Sequence, residues 1–268
     1  MKIAILIQVH INPEQVRQLC DRLRHPEVDV FLSVDAKVNR DDFKSCGADI
    51  LPTFVKVGWG DFSQIKATLE ALKCIKSYEH IVFISGQDWP LKPIDEIVKF
   101  FNQPYLCCRI LEQASPMHKR YKYRYVSFGS KIFRKIANKL IRIFTLSPRK
   151  FFFTGDVYKG SQWWCVSGEC AKYILRFCDE NPEYVRFFKH THCADELFFH
   201  NIVARSPFAE SHIKPESEHF TFTIWEKNSA NPKILTLSDL DAILGSKKIF
   251  ARKVDITVDS ALISTLCE

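Results

Sequence analysis

The stretch HTHCADELFFH, His190 to His200, gathers three His, one Cys, one Asp and one Glu within eleven residues. His192, Glu196 and His200 fall at i, i+4 and i+8, which on a continuous helix would set all three on one face. That face could hold zinc and make the chain a zinc-dependent hydrolase. The same Glu196 could instead act alone, as a general base taking the proton from an attacking hydroxyl. The zinc constellation requires His192 to lie inside the helix. A helix starting near Ala194 leaves His192 in the loop, dissolves the face and makes His200 an ordinary helix residue.

Three other chemistry-bearing side chains follow apolar runs. Gln8-Val9-His10 ends the first run, Ser33-Val34-Asp35 the second, and SGQDWPLKP (Ser85 to Pro93) follows another. Asp35 could hold a ribose or a base edge. Asp88 could hold a sugar hydroxyl while the indole of Trp89 packs on the sugar ring. Taken singly, each Asp is equally at home in an Asx-turn or a helix cap. The one Asp-x-Asp pattern that could hold a divalent cation, Asp239-Leu240-Asp241, lies in TLSDLDAIL. There Ser238 and Asp241 have the spacing of a capping box, so it reads as a helix start and no metal site is expected.

Alternating elements must position these residues. Strand-like runs cover Ile3–Val9, Val28–Val34, Ile50–Val55, Ile81–Ser85, Tyr105–Leu111, Ser161–Ser167 and Phe220–Trp225. Helical patterns cover Pro13–Arg24, with Asn12 as N-cap and Pro at the first position, Ser63–Ser77, and Pro93–Asn102. Strands alternating with helices predict an α/β fold with an open, mainly parallel sheet flanked by helices. In such sheets ligands bind at the carboxyl ends of the strands, where His10, Asp35 and Asp88 sit.

Composition narrows the class. Apolar residues make up 46% and aromatic residues 13%, a globular balance that excludes a disordered chain. No apolar run reaches the ~18–20 residues of a membrane span. The opening MKIAILIQVHINPEQ reads as a first strand rather than a signal peptide, which places the protein in the cytoplasm. Ten scattered cysteines without a CxxC pair read as buried free thiols of a reducing compartment. We expect one domain over residues 1–268, with a basic insert at about 117–150.

FISGQDWPLKP, GSQWWCVSGECAKYIL, ADELFFHNIV and KKIFARKVD, in that order, resemble the core-2/I-branching β-1,6-N-acetylglucosaminyltransferase family, which also contains peptide-O-xylosyltransferases. The likeness runs from the first strand to about Asp255. It implies a GT-A-type, Rossmann-like fold and an inverting glycosyltransferase that needs no metal or other cofactor. The implied donor is a UDP-sugar, UDP-GlcNAc or UDP-xylose, and the acceptor a glycan. A cytoplasmic placement points to surface-polysaccharide synthesis, and a basic helix at a membrane would make the acceptor a lipid-linked glycan. Relatives carry a Pro-Asp-Glu or similar triplet where this chain has Ala194-Asp195-Glu196, and their Glu is the catalytic base. That role falls on Glu196, leaving Asp195 to cap or orient the helix. The basic pair Arg252 and Lys253, which alone would read as a solvated surface pair, is implied to contact the donor diphosphate in place of a metal.

The family resemblance also implies a donor loop at VGWGDFSQ, with Trp59 and Ser63 as its candidates beside His10 and Asp35. Gly160-Ser161-Gln162-Trp163-Trp164 is similar to the family's Gly-Ser-x-aromatic stretch; an aromatic there could pack on a sugar or equally in the core, and Trp163 is an acceptor candidate with Asp88 and Trp89. Trp225, in FTIWEK, is similar to a segment lining the site in relatives. In MHKRYKYRYV, Lys122 and Arg124 are candidates to touch the acceptor, although the alternation also suits a strand with one charged face.

The net charge of +7 is a local property. Residues 113–155 hold eleven Lys or Arg and no Asp or Glu, while the rest hold 27 basic and 31 acidic residues, a net −4. Within that block, SKIFRKIANKLIRIF places Ile132, Phe133, Ile136, Leu140, Ile141 and Phe144 on one helical face and Lys131, Arg134, Lys135, Lys139 and Arg142 on others. Two readings stay open. The helix over 131–144 either lies on an anionic membrane, holding the enzyme at the inner face, or packs on the domain by its apolar face. A nucleic-acid-binding module built on this block is the alternative from another class. The acidic balance elsewhere speaks against it, and no nucleic-acid partner is expected.

Overall fold

Residues 2–227 and 229–267 are described by the structure, a computed structural model, with the side chain of Lys131 outside that description. In chain order the first half contains β1 (Ile3–Val9), α1 (Pro13–Arg22), β2 (Val28–Val34), β3 (Asp49–Ile50), α2 (Ser63–Cys74), β4 (His80–Ser85), β5 (Asp88–Pro90), α3 (Ile94–Phe100) and β6 (Leu106–Ile110). The basic region follows as α4 (Lys119–Lys122) and α5 (Lys131–Phe144). Next come β7 (Tyr158–Gly160), β8 (Trp164–Ser167), α6 (Gly168–Glu180), α7 (Pro182–Phe188) and α8 (Asp195–Val203). The chain closes with α9 (Ala209–His212), β9 (Ile213–Pro215), β10 (Thr221–Thr223), α10 (Leu240–Gly245), β11 (Phe250–Arg252) and α11 (Ser260–Thr265).

The central sheet has the order β3-β2-β1-β4-β8. Its first four strands run parallel, and β8 joins β4 antiparallel. All seven residues of β1 are buried, as a strand covered on both faces requires. This is the expected α/β, Rossmann-like sheet, open, mainly parallel and flanked by helices. Gln8 stands level with Ser33 on one side and Ser85 on the other, so the carboxyl ends of β1, β2 and β4 form one edge. Strand order reverses between β1 and β4, the place where open sheets bind ligands.

Two small sheets close over that edge. In β10-β11-β5, Arg252 pairs directly with Asp88 and Ala251 with Trp89. In β7-β6-β9, Lys159 pairs with Arg109, and Pro215 with Cys108. The hydrophobic core is continuous from the central sheet into α6, α7 and α8, where Tyr184, Phe188, Phe198 and Phe199 are fully buried.

Several local expectations change. Residues 51–55 pair only through single backbone bonds, such as Ala36 to the Val55 carbonyl, so β3 is two residues long. Of the run 161–167 only Trp164–Ser167 is a strand, β8, with β7 ending just before the run at Gly160, and only Thr221–Thr223 of the last run is a strand. MHKRYKYRYV forms a short helix and an extended segment rather than a strand. Asn12 adopts φ 51° and makes no side-chain cap; its amide donates to Asp255 Oδ1 at 2.7 Å instead. The capping box at the DLD motif is made by Thr236 and Asp239, not by Ser238 and Asp241. All ten cysteines are free thiols, seven of them buried.

Candidate active site

A cleft of about 550 Å³ opens at the carboxyl edge of the central sheet. Its size is that of a small-ligand site. The strand ends contribute His10, Asp35 and Ser85, and the two small sheets contribute Lys159, Arg252 and Lys253. The start of α8 contributes Asp195 and Glu196.

α8 begins at Asp195, so His192 lies in the loop before it and does not share a helical face with Glu196 and His200. Burial pushes the His200 imidazole down to about 3 and that of His192 to about 4. Among the described residues no three His, Cys, Asp or Glu side chains converge as a metal site. The zinc constellation therefore falls to local geometry: the helix starts three residues too late to include His192. Asp195 does not cap the helix either, because the N-cap position is Ala194 and carries no side-chain bond. Asp195 is buried beside Glu196, and burial followed by the neighbouring carboxylate pushes its carboxyl up to about 7.

Glu196 belongs to a chain of alternating charges that runs from Arg120 to Arg109. Arg120 Nη1 donates to its Oε2 at 2.8 Å, and Lys159 Nζ approaches the same oxygen at 3.5 Å. Lys159 Nζ also bonds Glu216 Oε1 at 3.0 Å, and Arg109 Nε meets Glu216 Oε2 at 2.7 Å. Arg120, Lys159 and Glu216 were not among the sequence candidates. Arg120 lies in the same basic segment as the acceptor candidates Lys122 and Arg124, neither of which lines the cleft. Alternation along a segment cannot say which of its cations turns inward. Lys159 stands beside the Gly160 motif, which was a signal; Glu216 has none.

The loop before α8 is held by close backbone approach. Cys193, at φ 47°, donates its N–H to the carbonyl of Gly60 at 2.9 Å. Gly60 has φ 71°, and a Cβ there would meet His192 Nε2 at 3.2 Å, so glycine is needed on both counts. Trp59 beside it is 54% exposed, lines the cleft and lies edge-on to His192 at 5.7 Å. Ser63 does not reach the cleft. Its Oγ accepts from Gly58 N–H at 2.6 Å and donates to Asp61, which closes the loop.

The other end of the cleft is built on the Arg252–Asp88 pairing. Arg252 Nη1 donates to Asp88 Oδ2 at 3.0 Å and to Ser85 Oγ, and its guanidinium lies 4.6 Å over the Trp163 ring. Asp88 is fully buried and spends the same oxygen on Ser85 N–H at 2.7 Å. Trp89 is also fully buried. Both therefore lie beneath the cleft: Asp88 positions Arg252 instead of meeting a sugar, and Trp89 is core. Trp163 lines the cleft with its ring against Arg252, while Trp225 stands exposed at the rim. Lys253 Nζ reaches Asn231 Oδ1 at 3.4 Å, and burial, then Arg252, push its ammonium below its usual range. Asp35 accepts from Lys37 N–H at 2.9 Å and Val57 N–H at 3.2 Å, an Asx-turn at the cleft wall. Asp239 pairs with Lys233 at 2.7 Å, away from the cleft.

Residues 14–244 match the family described as Core-2/I-Branching enzyme. Mouse xyloside xylosyltransferase 1, in its apo form, superposes with a TM-score of 0.38 at 10% identity, covering 80% of this chain and 85% of that one. CMP:2-keto-3-deoxy-manno-octonic acid synthetase complexed with CTP gives a TM-score of 0.34 at 8% identity, covering 66% of this chain and 78% of that one. No curated protein matches the sequence.

Proposed function

The chain belongs to the Core-2/I-branching enzyme family of glycosyltransferases, and from that premise we propose an inverting, metal-independent transfer from a UDP-sugar to a glycan or lipid-linked glycan hydroxyl. The transferred sugar is GlcNAc or xylose, and the setting is cytoplasmic synthesis of a surface polysaccharide. The observation that carries the reading is that Glu196 and the Arg252–Lys253 pair line one cleft at the strand ends.

The acceptor oxygen attacks the anomeric carbon as the bond from that carbon to the diphosphate oxygen breaks. Glu196 takes the acceptor proton, a role worth ~10²–10⁴-fold. Negative charge grows on the departing diphosphate, and Arg252 and Lys253 stabilise it without reorganising. A guanidinium can grip two oxygens at once, which suits a diphosphate. His10 and Asp35, at the ends of β1 and β2, face the nucleoside, with Trp59 over it. Trp163 and Trp225 offer apolar surface to the sugars. The free cysteines accord with a reducing, cytoplasmic setting.

The test is UDP release from a panel of UDP-sugars with excess EDTA throughout. Release from one donor that EDTA leaves unchanged, and that Glu196→Gln abolishes while donor binding persists, is the expected result. Release abolished by EDTA would overturn metal independence, and unchanged release in Glu196→Gln would remove Glu196 from the chemistry.

A further inference from the structure

Helix α5 is amphipathic in the wrong sense for a helix that only packs on its own protein. The half-buried positions are Arg134, Ala137, Asn138 and Ile141, an i, i+3, i+4, i+7 stripe that is mostly polar or small. This stripe grips the preceding extended segment. Asn138 Oδ1 accepts from Val126 N–H and its Nδ2 donates to Val126 O, both at 2.9 Å, and Arg134 Nη1 donates to Ser127 O at 3.3 Å. The apolar residues point the other way. Ile132 is 73% exposed and Phe144 73%, and Phe133, Ile136, Leu140 and Ile143 are also exposed. At 100° per residue these six span an arc of about 120°. Phe128, packed against Phe133 at 6.0 Å, and Leu146, 99% exposed, extend the patch at both ends. The expectation that Ile141 belongs to the apolar face is corrected here, since it turns inward.

The rest of the helix surface is basic. Lys135, Lys139 and Arg142 are exposed and lie beside the apolar arc, within a stretch of the chain, residues 113–155, that has no acidic residue. We propose that α5, with Phe128 and Leu146, is a docking surface for an anionic lipid bilayer. The apolar arc enters the acyl boundary and the adjoining cations meet the headgroups. Charge selects this occupant. A second copy would bring two basic stripes together, and an aqueous polyanion would leave six large apolar side chains in water.

The surface and the cleft share one segment. Tyr125, which precedes the Val126 gripped by Asn138, has its ring 4.3 Å from the His192 ring, and Arg120 a few residues earlier holds Glu196. A bilayer bound to α5 would therefore lie beside the segment whose Arg120 holds Glu196 at the cleft, where a lipid-linked acceptor would arrive; this last step alone rests on the transferase reading.

Co-sedimentation of the full chain with phosphatidylcholine vesicles, with and without phosphatidylglycerol, tests the proposal. The wild type is expected to pellet with the anionic vesicles and stay in solution with phosphatidylcholine alone. Combined Ile132→Ser, Phe133→Ser, Ile143→Ser and Phe144→Ser, all at exposed positions, should abolish pelleting with an unchanged circular dichroism spectrum. Lys135→Gln, Lys139→Gln and Arg142→Gln together should weaken partitioning about 100-fold. Wild-type chain left in the supernatant with anionic vesicles would overturn the proposal. So would pelleting that survives the loss of the apolar arc, or a wild-type dimer in lipid-free solution that the apolar variant abolishes.

Discussion

Arg120 Nη1 donates to Glu196 Oε2 across 2.8 Å, joining residues 76 positions apart in sequence. The contact ties the proposed base to the basic segment, and Lys159 supports the same oxygen from β7. Glu196 is thus aimed by cations from two different elements. Arg120→Ala should lower kcat about 10–100-fold with the donor KM nearly unchanged, because a misplaced base costs rate rather than donor affinity. Arg120→Lys should recover part of the loss. A changed donor KM with intact kcat would show that Arg120 binds donor instead.

Arg252 and Asp88 are a buried pair, and removing one partner strands the other. Arg252→Ala should destabilise the fold by about 3–5 kcal/mol, because it leaves the Asp88 carboxylate buried without its cation. Arg252→Lys keeps the charge and should fold more stably than Arg252→Ala while losing the fork proposed to grip the donor. Urea denaturation separates the two variants; equal stability would mean that Asp88 does not depend on Arg252.

Acid should unfold the protein through histidine. Burial holds His200 at about 3 and His192 and His212 at about 4, below the ordinary 6.5. Their stabilisation is complete above pH 6.5 and is lost as pH falls toward 4, because the unfolded chain takes up protons that the folded one refuses. The slope is about 1.4 kcal/mol per pH unit for each imidazole. Asp195 acts in the opposite sense. With its carboxyl raised to about 7 from 3.8, the folded state holds a proton that the unfolded state gives up, so its contribution falls as pH rises from 4 to 7. Asp195→Asn should therefore be more stable than wild type at pH 7 and lose stability more steeply on acidification. A flat denaturation free energy from pH 6.5 to 4.5 in wild type would contradict this.

Gly60→Ala places a Cβ 3.2 Å from His192 Nε2 on a backbone at φ 71°. The substitution should cost about 1–2 kcal/mol from the left-handed backbone alone. It should also disturb the loop that carries Cys193 into α8, so transfer falls more than stability accounts for. Melting and single-turnover transfer, measured together, check it.

Much of the architecture is local and can be read directly. Period-2 and apolar runs mark β1, β2 and β4, and alternation with α1 and α2 makes the sheet parallel. The strand-end positions of His10 and Asp35 follow from that alone, and the ordered motifs named the family. The failures are where a local pattern meets a long-range choice. Trp89 has the residue type of a sugar platform, but pairing of β5 with β11 buries it. Ser63 has the position of a donor contact, but the turn of its own loop claims the hydroxyl.

The sequence by itself determined the α/β class, the strand ends that carry the cleft, the place of Glu196 at a helix start and the amphipathic, basic character of residues 131–144. Each follows from spacing within one element, which the chain carries without its partners. Tertiary structure alone decided that Arg120 reaches Glu196, that Arg252 rests on Asp88, and that α5 turns its apolar face outward. Those are choices among equivalent local options. They are settled by the register of β5 on β11 and by the grip of Asn138 on Val126, contacts between elements whose pairing no single segment encodes.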